Sequence, residues 1–264
     1  ISNIQSSPVP PLAASQSSPL VMRIIGAVAL AHLINDLIQA VLPSIYPMLK
    51  ANYGLTFTQV GLITLTFQIT ASLLQPWVGY YTDRHPNPLL LPAGAICTLV
   101  GIVMLSMVGS FPLILLASAL IGVGSSTFHP EASRIARLAS GGRFGLAQST
   151  FQVGGNAGSA FGPLLAAAII IPFGQGNVAW FGLFAVFAIG LLYAISRWYR
   201  AHLNLFKLKA GQQATHGLSK KRVTGALMVL GFLVFSKYFY MASFTSYFTF
   251  YLIQKFDLSV ASSQ

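Results

Sequence analysis

Seven apolar runs dominate the chain, at residues 21–49, 58–81, 89–109, 113–136, 144–171, 178–198 and 223–253. Each reaches the roughly 20 residues that an α-helix needs to cross the hydrocarbon of a bilayer, where a helix satisfies its own backbone hydrogen bonds. The pattern predicts seven membrane-spanning helices. Their connections are short and rich in Gly, Pro, Asn and Ser, except for a long basic stretch at 201–222. Residues 1–20 begin with a Ser-, Pro- and Gln-rich run without apolar periodicity and read as a disordered tail. Residues 21–200 then form a six-helix bundle, 201–222 a linker, and 223–264 a seventh helix and the start of a second, incomplete bundle.

Composition agrees with lipid as the solvent. Of 264 residues, 55% are hydrophobic and 7% charged, with a mean hydropathy of +0.70, too little polar surface for a water-soluble monomer. The net charge of +11 does not point to nucleic acid, because the cations are scattered between apolar runs instead of clustered on one face. Their distribution gives a direction instead. Twelve of the fifteen (Arg23, Arg84, Arg134, Arg137, Arg143, Arg197, Arg200, Lys207, Lys209, Lys220, Lys221 and Arg222) fall on one side of the predicted topology, against Lys50 and Lys255 on the other. Positive residues stay inside, so the N-terminus is expected in the cytoplasm of a bacterial inner membrane. Ser2 and Gly211 are expected inside, Asn52 and Gln175 outside. Cys97 alone excludes an internal disulfide. No metal set, cofactor fingerprint or catalytic pattern stands out, and no enzyme is expected.

A short repeat suggests duplication. Tyr53-Gly54-Leu55-Thr56-Phe57-Thr58 aligns with Phe256-Asp257-Leu258-Ser259-Val260-Ala261, each after a lone exterior lysine and a long helix. A six-plus-six architecture is expected, of which this chain supplies the first half and the start of the second. The missing half would be its partner, and this piece alone is expected not to transport.

Polar residues inside the spans mark a wet face. Span 1 carries His32, Asn35, Asp36 and Gln39; span 2 Thr64, Gln68, Ser72 and Gln75; span 4 Ser126, His129 and Glu131; span 5 Gln148, Gln152, Asn156 and Ser159. Spacings of three and four put each set on one side of its helix, so the four sides imply a shared aqueous cavity. Many such groups only join helices. Asp36 differs, because it lies about 22 Å along its span, near mid-membrane, where a carboxylate needs a partner or a function. His129 beside Pro130 and Glu131 suggests a site, although Glu131 could equally pair with Arg134. Lys237 lies about 21 Å into span 7. Asp36, His129 and Glu131 are therefore the candidates for binding protons. A seven-helix retinal receptor, with Lys237 as the attachment point and Asp36 as counter-ion, is the rival reading, and the expected inside start argues against it.

The run Gly79-Tyr80-Tyr81-Thr82-Asp83-Arg84 after span 2 resembles the Gly-x-x-x-Asp-Arg signature of the major facilitator superfamily, with Tyr81, Pro86 and Asn87 as departures. Gly154, Gly158 and Gly162-Pro163 resemble that superfamily's span 5 antiporter motif. Its span 4 arginine is replaced by Ser118. With residues 32–47 and the Phe128-His129-Pro130-Glu131 run, the chain is similar to the fosmidomycin resistance branch. The resemblance implies an all-α membrane protein built as a six-helix N-terminal bundle plus the first helix of a C-terminal bundle. It implies a conformational latch made by Gly79, Asp83, Arg84 and Arg134. It also implies export of small drugs, including a phosphonate antibiotic, in exchange for protons.

Overall fold

The computed structural model describes residues 20–210 and 219–263. The expected tail, up to residue 19, and residues 211–218 of the linker lie outside the described residues. Among the described residues, seven helices are long and apolar enough to cross a membrane: Met22–Ser44, Phe57–Arg84, Leu90–Met107, Phe111–Ala139, Phe144–Phe173, Gln175–Leu203 and Lys220–Phe256. They match the seven apolar runs one for one and are called spans 1 to 7. The described residues contain no strand, so the protein is an all-α membrane protein.

Prolines decide where the spans depart from straight helix, since each lacks an N–H and crowds the carbonyl four residues back. Span 1 stops at Ser44, just after Pro43, and a separate helix Tyr46–Tyr53 resumes with Pro47 in its first turn. Span 2 passes through a π-turn at Ile69–Leu73 and restarts at Gln75 before Pro76. Gln75 Nε2 caps the loosened region by donating to the Ala71 carbonyl at 2.8 Å. A second π-turn, Ala166–Ile170, precedes Pro172 in span 5. The helix of span 6 instead overruns its expected end, continuing as Phe181–Ala210. No glycine or proline lies between Gly190 and Gly211 to stop it, so the first part of the 201–222 stretch is helix.

Close contacts fix the direction of the spans. Cβ atoms added at Gly154, Gly158 and Gly162 would strike the carbonyls of Ala29, Leu33 and Leu37 in turn, so spans 5 and 1 run parallel. Gly94 meets Thr127 and Gly101 meets Ala117, so spans 3 and 4 are antiparallel. Gly122 meets Thr70, and Arg134 pairs with Asp83 further along, so spans 2 and 4 are parallel. Asp36 and Gln39 of span 1 meet His129 and Ser125 of span 4 in reverse order, so spans 1, 3 and 5 oppose spans 2 and 4, as an up-and-down bundle requires. At the end away from the arginine cluster the Tyr53 hydroxyl lies 2.6 Å from the Val108 carbonyl and 2.7 Å from Gln175 Oε1, tying together the links after spans 1, 3 and 5.

Span 7 buries only Ser246 and Phe250 among its residues. Ser246 Oγ lies 3.0 Å from Thr64 Oγ1, itself 2.9 Å from the Tyr46 hydroxyl, and Phe250 stands edge-on to Phe57. The repeat seen in sequence recurs in local structure. Gly54 and Asp257 each end a helix in the left-handed region, at φ 61° and 53°. Two residues on, Thr56 Oγ1 accepts from the Gln59 N–H at 3.2 Å, and Ser259 Oγ accepts from the Ser262 N–H at 3.1 Å. Both copies stop one helix in the left-handed region, and the Thr56 bond caps the start of span 2.

Candidate functional site

Glycines bring spans 1 and 5 into backbone contact, and this closeness builds the site. Gly155, next to Gly154, faces His32 and Asp36 so tightly that any side chain there would overlap the imidazole. His32 is buried, stacked on the Phe151 ring at 4.0 Å, with its Nδ1 2.8 Å from the Phe151 carbonyl. A carbonyl only accepts, so Nδ1 donates. One turn along span 1, Asp36 Oδ2 lies 3.2 Å from His32 Nε2. From span 4, His129 Nε2 approaches the other oxygen, Oδ1, at 3.5 Å, while its Nδ1 lies 3.0 Å from the Ser125 carbonyl. Asn35 Nδ2 and Gln39 Nε2 also donate to Oδ1, at 3.0 and 3.4 Å, and Ser125 Oγ donates to Gln39 Oε1. Asp36 thus sits between two imidazoles from two helices.

Donor atoms of His32, Asp36 and His129 lie within 4.8 Å of one another, a spacing also seen in metal clusters. Asp36 offers a separate oxygen to each imidazole, the pattern of a carboxylate bridging two N–H donors.

A second polar group occupies the arginine-rich end. Arg134 forms ion pairs with Asp83 of span 2 and with Glu131 one turn back on its own helix. It also donates to Thr82 Oγ1 at 2.9 Å, and the Gly79 carbonyl lies 3.5 Å away. Glu131 is fully buried, and its Oε2 has no hydrogen-bond partner among the described residues. Glu131 is therefore turned to Arg134. Arg84, grouped with these residues in the latch that the resemblance implies, does not join them. It lies about 100° around the helix from Asp83, donates to the Tyr80 carbonyl at 3.1 Å and covers the Tyr80 ring.

The remaining candidates scatter. Gln148, Gln152 and Asn156 form an exposed stripe on span 5, joined by a Gln152 to Asn156 bond of 3.3 Å. Ser72 Oγ donates to Gln68 Oε1 one turn back on span 2, and Gln75 is spent on its own backbone. The π-turn between them removes the straight stripe expected there. Ser126 points back to the Val123 carbonyl, so its neighbour Ser125 is the serine of the site. Lys237 is exposed, with the Tyr238 ring 5.5 Å away, and is not brought to Asp36. A separate groove of about 940 Å³, lined by Leu30, Leu33, Ile169, Trp180, Phe184 and Phe187 among others, is almost wholly apolar and contains none of these residues.

A sequence model of the Major Facilitator Superfamily matches residues 28–264. The chain belongs to that superfamily. It is 57% identical over 241 residues to the fosmidomycin resistance protein of Escherichia coli (strain K12), covering 91% of this chain and 59% of that protein. It is 38% identical over 240 residues to the uncharacterized MFS-type transporter YfnC of Bacillus subtilis (strain 168), covering 90% and 59%. The chain thus spans about three fifths of the length of these relatives. Superfamily membership, together with an exposed Lys237 that forms no ion pair with Asp36, leaves the retinal reading without support.

Proposed function

We propose that the chain is the N-terminal part of a proton-coupled antiporter that exports a small molecule across the bacterial inner membrane by alternating access. The observation that carries this reading is the Asp36 carboxylate, held deep in span 1 between two histidines. An ionisable group at that depth is costly unless it has work to do. Asp36 and His129 are the proton-coupling groups, and Glu131 belongs with Arg134, Asp83 and Gly79 in the latch. His32, Asn35, Gln39, Gln68, Gln148, Gln152 and Asn156 line the substrate path, and Lys237 is the candidate that span 7 adds to it. A second bundle completes the path, and lipid surrounds it. Fosmidomycin, named for the Escherichia coli relative, is the substrate to test first.

In vesicles holding both bundles, Asp36→Asn is expected to reduce proton-driven fosmidomycin flux to background, because the near-isosteric amide keeps the packing and cannot exchange a proton. Wild-type flux in Asp36→Asn, with loss in Glu131→Gln, would move the coupling site to span 4. Orientation has its own check. A cysteine at Asn52 should label from outside the cell and one at Gly211 only after the membrane is opened; labelling of both from one side would overturn the inside start.

A further inference from the structure

We infer that His32, Asp36 and His129 form one store that holds two protons together, so that a transport cycle emptying it exchanges two. The inference rests on the proposed role of Asp36 as the coupling group. Its basis is a count of donors. His32 Nδ1 faces the Phe151 carbonyl; His129 Nδ1 faces the Ser125 carbonyl and the Ser125 hydroxyl, whose own hydrogen goes to Gln39 Oε1, so each Nδ1 carries a hydrogen. Both Nε2 atoms then meet Asp36, one on each oxygen. With neutral imidazoles and an ionised carboxylate, both contacts set lone pair against lone pair. One added proton closes one contact and leaves the other open. Two close both, and the cluster changes from a net charge of −1 to +1.

Surrounding groups favour placing these protons on the imidazoles. Asn35 and Gln39 of span 1 donate to Asp36 Oδ1, which suits a carboxylate more than a carboxylic acid. Span 5 contributes the Phe151 carbonyl and Gly155, with no titratable side chain. Ala185, Ala188 and Leu192 are what span 6 brings alongside Asn35 and Phe128. On span 4, Glu131 and Arg134 are engaged with each other; Asp83 of span 2 joins them, and Arg84 lies against Tyr80. Lys237 of span 7 is exposed. Asp36 is thus the anion that two imidazolium ions share.

Two readouts on the detergent-purified chain test this. Nitrogen NMR of labelled histidines should show Nδ1–H tautomers at both positions in alkaline solution and imidazolium at both once acid has filled the store. Proton uptake over the same range should fall by one in His129→Gln and by one in His32→Asn, variants whose amides can still donate to Asp36. An Nε2–H tautomer at either position in alkaline solution, or uptake unchanged by both variants, would overturn the two-proton store. That failure would leave Asp36 as the coupling group. Undiminished flux in Asp36→Asn would remove the coupling role whatever the count.

Discussion

Arg134→Met is expected to destabilise the bundle by about 3–5 kcal/mol, the range for removing one partner of a buried ion pair. Glu131 is fully buried, and its Oε1 is held by Arg134. Without the guanidinium, a carboxylate is left in a poorly polar interior. Asp83 is a weaker partner because its side chain is 63% exposed, so Asp83→Asn should cost under about 1 kcal/mol. The double variant Glu131→Leu/Arg134→Met should regain most of the loss, since an apolar pair of similar volume replaces a buried ion pair at little cost. Thermal unfolding in mild detergent measures all three. A double variant as unstable as Arg134→Met would show that the arginine's other contacts, and not the stranded carboxylate, carry the effect.

Gly158→Leu is expected to prevent spans 1 and 5 from packing. Even a methyl group at 158 would overlap the Leu33 carbonyl oxygen, and backbone cannot rotate aside as a side chain can. Gly158→Ala should therefore cost about 1–3 kcal/mol, the usual penalty for overpacking, and the leucine variant more than that. The effect should spread to Gly154 and Gly162, which rest on Ala29 and Leu37 in the same register. Gly26 provides a control on span 1, because a Cβ there meets nothing within 4 Å, and Gly26→Ala should be close to neutral. Retention of wild-type melting by Gly158→Leu would contradict the close approach of the two helices.

The apolar runs were enough to place all seven spans, because lipid imposes length and composition on a helix more strictly than water does. Their interruptions were less visible. Pro76 announces a break in span 2, yet whether it becomes a kink or a π-turn depends on what the freed carbonyls find. The four-residue spacing of His32 and Asp36 put them on one face of span 1, and His129 stood out beside Pro130. Their meeting across two helices was not, since spacing says nothing about rotation of one helix against another. Ser125 was missed for its neighbour Ser126, and the Phe151 carbonyl has no side-chain signal at all. Gly155 could have been noticed as the extra member of the Gly154-Gly158-Gly162 series. Lys237 drew attention by depth alone, but depth does not tell which side of a helix a residue occupies.

The glycine seam between spans 1 and 5 has a mechanical consequence. With glycine seated against the backbone of span 1 at three successive turns, the two helices have little side chain between them along this seam to absorb sliding. His32 and Asp36 ride on one of these rails, and the Phe151 carbonyl that orients His32 rides on the other. A rocking motion of the whole bundle would therefore carry these groups as passengers in fixed seats. What such a stroke alters is the compartment they look out on, while the distances among them stay as they are.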